Sequence, residues 1–333
     1  MKSPITNKEM KLITEKRSFK FRKIDFEVDF QTYICEDSQE KFTSKELDEV
    51  NFAQIYNQYR EKFHIPFTEE IISLRKKYGL SAKKMSELLG FGENQYSLYE
   101  NGEIPSISNA TTIKLAQEPS TFLRLINDKK EIFTEQNYKK VQNKVEEEIN
   151  LNKENIQEKY IENYILDKKN ATIFTGYTIP NWQKIANIIV YFSKEMKPLK
   201  TTLNKLMFYA DFLNYKNTGK SISGLTYKAI QYGNVPNNFE LIFSKAEKEN
   251  YIKIDYNEFK NGNVGEIFQN IKIFEKELFS DQELESLQQV LEKFKLKNRQ
   301  EIVDICHEET SWIDNNKNKI IFDYSYAFTL KAF

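Results

Sequence analysis

Residues 68–116 read TEEIISLRKKYGLSAKKMSELLGFGENQYSLYENGEIPSISNATTIKLA, and the punctuation of this stretch decides the fold of the first half of the chain. Thr68 can cap a helix, and Glu69 and Glu70 follow it where the helix dipole favours acids. Ile71, Ile72, Leu74 and Tyr78 recur at helical spacing until Gly79 ends the run. Ser81 can cap a second helix, whose apolar face is Ala82, Met85, Leu88 and Leu89. Gly90-Phe91-Gly92 supplies a tight turn, because glycine takes positive φ without strain. A third helix is expected from about Glu93 to Glu100, with Tyr96 and Tyr99 facing inward, and Asn101-Gly102 and Pro105 stop it.

Two short helices joined by a tight glycine turn are the layout of a helix-turn-helix, whose second helix enters the major groove. The stretch resembles the repressor-type helix-turn-helix of many small bacterial and phage regulators. The carriers are the small Ala82, the turn Gly90, the inward Tyr96 and the Glu100-x-Gly102-x-x-Pro105 exit. Rotating away from the two tyrosines leaves Glu93, Asn94, Ser97 and Leu98 outward on the third helix. Asn94 can pair bidentately with adenine, Ser97 can bond a phosphate or a base, and Leu98 can touch a thymine methyl. Lys83 and Lys84 fall where the preceding helix would cross the backbone and can neutralise phosphate, although exposed lysines are as often a solvated face.

The chain has 333 residues, of which 40% are hydrophobic and 14% aromatic, enough for two or three domains with real cores. Lys and Arg number 49 and so do Asp and Glu, so any DNA binding must be local and groove-directed rather than driven by net charge. Two cysteines, Cys35 and Cys306, give no disulfide framework and fit a reducing cytoplasm. No signal peptide and no membrane-spanning apolar run is apparent, so a cytoplasmic protein with no membrane partner is expected.

Residues 1–50 alternate as strands do, in Phe19-Lys-Phe-Arg-Lys-Ile-Asp-Phe, Phe26-Glu-Val-Asp-Phe and Gln31-Thr-Tyr-Ile-Cys. This segment resembles the N-terminal zinc ribbon of antitoxins of the MqsA/YgiT type, in which two Cys-x-x-Cys pairs flank a small sheet. The chain has Ser3-Pro4-Ile5-Thr6 in place of the first pair and Cys35-Glu36-Asp37-Ser38 in place of the second. Zinc wants four thiolate or imidazole ligands. The expectation is therefore a metal-free, zinc-ribbon-like β-module in which Cys35 is a small buried hydrophobe. Residues 51–127 form the expected helix-turn-helix domain; His64, with no second histidine nearby, is expected to be a buried or hydrogen-bonded structural residue. Regulators of the resembled type dimerise on palindromic operators, which implies a homodimer.

Residues 128–174 are rich in Lys, Glu, Asn and Gln, with a narrow apolar stripe at Val141, Val145 and Ile149 and again at Ile156, Tyr160 and Tyr164. This reads as a charged helical linker, as a hairpin, or as a short dimer seam. From residue 175 the chain is globular again, mainly helical with a few short strands. The fold class expected overall is mainly α with a small N-terminal β-module: a helix-turn-helix bundle followed by a helical, α+β domain. Asp211, His307 and Glu308 are isolated, and no phosphate loop, Ser-His-Asp set or metal spacing is present, so neither catalysis nor a cofactor nor a metal is expected.

Residues 175–333 resemble the Panacea (SocA-like, GepA-like) antitoxin domain. The resemblance rests on Lys200-Thr-Thr-Leu-Asn-Lys-Leu-Met-Phe-Tyr-Ala-Asp-Phe, Gly219-Lys-Ser-Ile-Ser-Gly with Tyr227-Lys-Ala, Tyr232-Gly-Asn-Val-Pro-Asn-Asn-Phe, and His307-Glu308 with Trp312. Asn234 departs from a usual Gly-Pro-Val phrase, and asparagine also tolerates a turn there. The resemblance implies a type II antitoxin that binds a cognate toxin, usually encoded by a neighbouring gene, through this half. It would autoregulate its operon through the helix-turn-helix bound to operator DNA. Candidate toxin contacts are Tyr209, Asn214, Tyr227, Tyr232 and Phe239, since aromatic anchors dominate interface hot spots. A stand-alone regulator with a sensor half and a protease adaptor that delivers a toxin for degradation are the alternatives.

Overall fold

The computed structural model describes residues 1–167, 170–258, 262 and 264–333. The chain divides into two compact units, one built from Met1–Asn57 and Glu162–Phe333 and the other from Gln58–Ile161. Mainly helical architecture with a small N-terminal sheet is what the residues led us to expect.

The first unit opens with strands β1 (Lys11–Phe21) and β2 (Ile24–Ile34), paired antiparallel in unbroken register from Lys11↔Ile34 to Phe21↔Ile24, with the short β3 (Lys41–Phe42) beyond β2. The hairpin turn is Arg22-Lys23, both at positive φ, as a two-residue turn matched to strand twist requires. Helix α1 (Lys45–Lys62) is fastened to β2 by two amide side chains. Asn51 both accepts from the Gln31 amide at 2.8 Å and donates to its carbonyl at 3.0 Å, and Gln54 does the same for Asp29 at 2.9 Å each way. Residues three apart on a helix thereby mimic a strand edge against residues two apart on β2.

The second unit is a helical bundle of α2 (Thr68–Tyr78), α3 (Ala82–Leu89), α4 (Gln95–Glu100), α5 (Ile107–Gln117), α6 (Pro119–Asp128) and α7 (Glu135–Glu154). Its core joins Ile71, Leu74, Tyr78, Met85, Leu88, Tyr96, Tyr99, Ile113 and Phe122. Val141 and Val145 of α7 are buried in that same core and Ile149 packs against it. The stretch read as a charged linker is thus, in its first half, the covering helix of this bundle, because its narrow stripe is just wide enough to bury two valines. The stripe's second half, Ile156, Tyr160 and Tyr164 on α8 (Ile156–Ile165), stays exposed. His64 is also exposed, in the turn after α1 at φ 51, so of the two expected states, buried or hydrogen-bonded, it is not the buried one.

The first unit resumes after α8. Helices α9 (Trp182–Met196) and α10 (Lys200–Thr218) precede the hairpin β4 (Tyr227–Ile230) and β5 (Gly233–Pro236), helix α11 (Phe239–Lys248) and a second hairpin, β6 (Ile252–Glu258) and β7 (Val264–Asn270). Then come α12 (Asp281–Phe294), α13 (Arg299–Glu308), α14 (Thr310–Asn315) and the short β8 (Ile321–Phe322), which pairs with β4. Helix α10 is the axis of this part: residues 202–215 are all buried, the signature of a helix packed on every side. Around it Phe208, Phe212, Tyr227, Phe322 and Tyr324 form an aromatic cluster, with Phe212 and Tyr324 stacked at 4.3 Å.

The expected division into 1–50, 51–127, 128–174 and 175–333 therefore differs from the packing. The N-terminal strands belong to the unit that contains α10: Gln31 Nε2 donates to the Lys216 carbonyl at 3.3 Å, and Asn57 Nδ2 donates to that of Gly219 at 2.9 Å.

Candidate nucleic-acid interface and partner surface

The geometry of α2, α3 and α4 follows from local chemistry. Thr68 is the first helical residue rather than the cap; the residue before it, Phe67, donates its amide to the Glu70 carboxylate at 2.8 Å. Gly79 closes α2 in the left-handed conformation, and the Ser81 hydroxyl caps α3 by accepting from the Lys84 amide at 3.1 Å. Gly90 ends α3 at φ 74, a region an L side chain enters only with strain. The turn then delivers α4, which starts at Gln95, two residues later than expected. Two buried bonds fix its angle. The Ser86 hydroxyl accepts from the Tyr96 amide at 2.9 Å, and the Tyr96 phenol donates to the Ile71 carbonyl at 2.7 Å. Burial holds that phenol well above its ordinary pKa, so it remains a donor. At the exit, Arg75 Nε meets Glu100 at 2.6 Å.

With Tyr96 and Tyr99 buried, Glu93, Asn94 and Leu98 are exposed and Ser97 is half-buried. Glu93 lies in the turn before α4, Asn94 is the residue that opens it, and Ser97 and Leu98 are on the helix itself. Lys83 pairs with Glu93 at 2.5 Å, bridging α3 and the turn, and the bond raises the lysine and lowers the acid from their ordinary values. Lys84 is placed otherwise than expected. It is half-buried, donates to the Ile132 carbonyl at 2.6 Å and pairs with Glu87 at 2.7 Å, so it is engaged inside its own bundle. Gln95 escaped the sequence reading. Its amide is held to Glu103 at 3.1 Å and can read adenine as Asn94 can.

In the other unit, three of the five candidate toxin contacts are corrected. Tyr209, Asn214 and Tyr227 are buried. Tyr209 donates to Glu309 at 3.1 Å; Asn214 donates to the Lys220 carbonyl at 2.8 Å and accepts from the Ser286 hydroxyl at 3.1 Å. Tyr227 donates to Asp211 at 2.7 Å. Tyr209 and Asn214 are interior because α10, which carries them, is enclosed on all sides, and Tyr227 on β4 is interior because its ring packs on Phe208 and Phe212 of that helix. Asp211 also accepts from the Ile222 and Ser223 amides at 2.9 and 2.8 Å and from the Ser223 hydroxyl. Burial still raises its carboxyl pKa, against the pull of those donors. Glu309 is raised for the same reason and accepts from the amides of Lys331 and Ala332. Both acids are satisfied structural partners.

Tyr232 is 49% exposed at the β4–β5 turn, and Phe239 is half-buried at the start of α11. Beside Tyr232 the guanidinium of Arg299 lies over the ring at 5.5 Å. His307 stacks on Trp312 at 3.9 Å, and both donate to the same turn, His307 Nε2 to the Gln231 carbonyl at 3.1 Å and Trp312 Nε1 to that of Ile230 at 2.8 Å. A Tyr–Arg–Trp surface results, of which sequence reasoning had named only Tyr232 as a contact. Asn234 is in strand β5, not in a turn. Its amide donates to Cys306 Sγ at 3.3 Å, a bond proline could not make.

Beneath that turn Lys205 is fully enclosed and its ammonium has no protein partner among the described residues. Burial lowers its pKa to about 8.

Residues 71–117, the span from α2 to the end of α5, match a family model described as Helix-turn-helix. Residues 203–313, from α10 to α14, match the model described as Antitoxin SocA-like, Panacea domain. Over these two segments the chain is similar to helix-turn-helix domains and to the SocA-like Panacea antitoxin domain. The N-terminal strands lie outside both matched segments. No curated protein matches the chain. Among the described residues no helix is long and apolar enough to cross a membrane.

Proposed function

We propose that this protein is the antitoxin of a type II toxin–antitoxin pair, acting in the cytoplasm without catalysis or cofactor. The observation that carries the reading is the Panacea antitoxin match over 203–313, in one chain with a helix-turn-helix over 71–117. The unit around α10 would hold a protein toxin encoded by the neighbouring gene and block it by direct binding. The helix-turn-helix would repress the shared operon, as a homodimer on a palindromic operator.

Toxin contact is best supported at the β4–β5 turn. Tyr232 and Arg299 are exposed there, with Trp312 half-buried beside them. Tyr, Trp and Arg are the residue types enriched in hot spots, and the bond from the Trp312 indole to the Ile230 carbonyl already pre-orders one of them. Phe239 extends the surface. Operator contact is best supported at Asn94, Gln95, Ser97 and Leu98, with Lys83 as the exposed cation. Co-expression with the adjacent gene tests the reading: growth rescue and recovery of a stable complex are expected. A neighbour that is harmless by itself would remove the antitoxin role.

A further inference from the structure

The N-terminal module contains one turn built twice. Ser3-Pro4-Ile5-Thr6-Asn7-Lys8 and Cys35-Glu36-Asp37-Ser38-Gln39-Glu40 have the same hydrogen bonds, thirty-two positions apart by residue number. The Ser3 amide donates to the Lys8 carbonyl at 2.8 Å and the Cys35 amide to that of Glu40 at 3.0 Å. The Asn7 amide donates to the Ser3 carbonyl at 2.9 Å and the Gln39 amide to that of Cys35 at 2.7 Å. Asn7 and Gln39 share a φ of 58. Each turn is closed by an antiparallel pair, Lys2↔Glu9 and Ile34↔Lys41. The burial order also repeats: Ser3 and Cys35 are buried, and Thr6 and Ser38 are half-buried.

The first and fourth side chains of the two turns meet. Thr6 Oγ1 lies 3.3 Å from Cys35 Sγ, and the hydroxyls of Ser3 and Ser38 also hydrogen-bond that sulfur. These donors draw the thiol down to about 6, Ser3 most strongly, while burial works against them. Backbone amides two residues further on aim at the same oxygens: Lys8 at Thr6 (3.5 Å), Glu40 at Ser38 (3.4 Å) and Ile5 at Ser3 (3.2 Å). Lys8 and Asp37 tie the turns together from outside at 2.7 Å.

Four convergent side chains, paired three positions apart on opposed turns and ringed by amide donors, are the arrangement of a tetrahedral zinc site with its supporting hydrogen bonds. The donor set does not fit zinc: three neutral hydroxyls and one thiol replace four thiolates. Among the described residues no three His, Cys, Asp or Glu side chains are placed to hold a metal. We infer that the Ser3, Thr6 and Ser38 hydroxyls gathered on Cys35 act as a metal-free cross-link between the two turns, on a backbone that keeps the tetrahedral geometry. The module then keeps its shape without zinc.

The test uses the full chain under reducing conditions. Ser3→Cys/Thr6→Cys/Ser38→Cys should take up one equivalent of Co(II) with the d–d bands of a tetrahedral thiolate site. The wild type should take up none, and its melting temperature should not move with chelator. Should the triple variant not fold, Thr6→Cys/Ser38→Cys supplies three thiols for the same titration. A natively folded variant that binds no cobalt would overturn the inference. So would a wild-type protein that carries stoichiometric zinc or melts lower after chelation.

Discussion

The phenol of Tyr227 donates a 2.7 Å hydrogen bond to the carboxylate of Asp211, with both side chains buried against α10. A residue that reads as an interface aromatic is therefore a buried brace. Tyr227→Phe removes one of the donors that offset the burial of this acid and should cost about 1.5–3 kcal/mol in urea unfolding. Toxin protection at permissive temperature should persist. The pH dependence has a definite sign. Burial raises the Asp211 carboxyl above its ordinary 3.8, so the folded state keeps the proton to higher pH than the unfolded chain does. The contribution of this site to stability falls as pH rises from 3.8 through the folded value, and Tyr227→Phe should move that folded value further up.

Lys205 carries a lone buried ammonium with a pKa of about 8, against 10.5 for the unfolded side chain. Below pH 8 both states are charged and the full burial penalty applies; between pH 8 and 10.5 the unfolded state binds more protons, so stability rises with pH. Lys205→Met keeps the volume and removes the charge. At pH 7 it should stabilise the fold by up to about 3 kcal/mol, and it should flatten the rise between pH 8 and 10.5. A variant less stable at every pH would mean that the ammonium has a partner.

On the DNA side, the two candidate lysines should separate. Lys83→Ala combined with Asn94→Ala should abolish operator retardation in a gel shift and leave toxin protection intact. Lys84→Ala should weaken DNA binding less, and should lower the melting temperature instead, because it loses the bond to the Ile132 carbonyl. Full operator affinity in the double variant would contradict the placement of the reading face.

At the turn between α3 and α4, Gly90→Val should destabilise the bundle by about 1–2 kcal/mol, the usual cost of a left-handed L residue. The space around it is open, with Lys129 Nζ the nearest atom at 3.7 Å from an added Cβ, so strain rather than collision sets the cost. Differential scanning calorimetry of the two proteins measures it.

How much of this could be read beforehand depended on how local the signal was. Gly79, Ser81, Gly90 and Tyr96 announce α2 to α4 because caps and turns are set by residues a few positions apart. The Arg22-Lys23 hairpin gave no such sign, since neither residue favours positive φ. The pairing of Asn51 and Gln54 with β2 was invisible because side-chain amides that copy a strand edge have no periodicity of their own. Tyr209 could not be placed inside from sequence: a helix buried all round, as α10 is, has no stripe to show which aromatics are inside. Arg299 and Gln95 were missed because each owes its place to a contact partner, Tyr232 or Glu103, rather than to a motif.

The unit around α10 is proposed to capture a toxin on the β4–β5 turn surface. The most direct measurement is a pull-down and growth assay of the full chain co-expressed with the neighbouring gene product, run beside Tyr232→Ala/Arg299→Ala and Tyr209→Phe. Rescue and a stable complex are expected for the wild type and for Tyr209→Phe, and loss of both for the double variant with its melting temperature unchanged. A wild-type chain that neither rescues growth nor holds the product would contradict the antitoxin reading, whereas a double variant that does both would contradict the surface assigned to it.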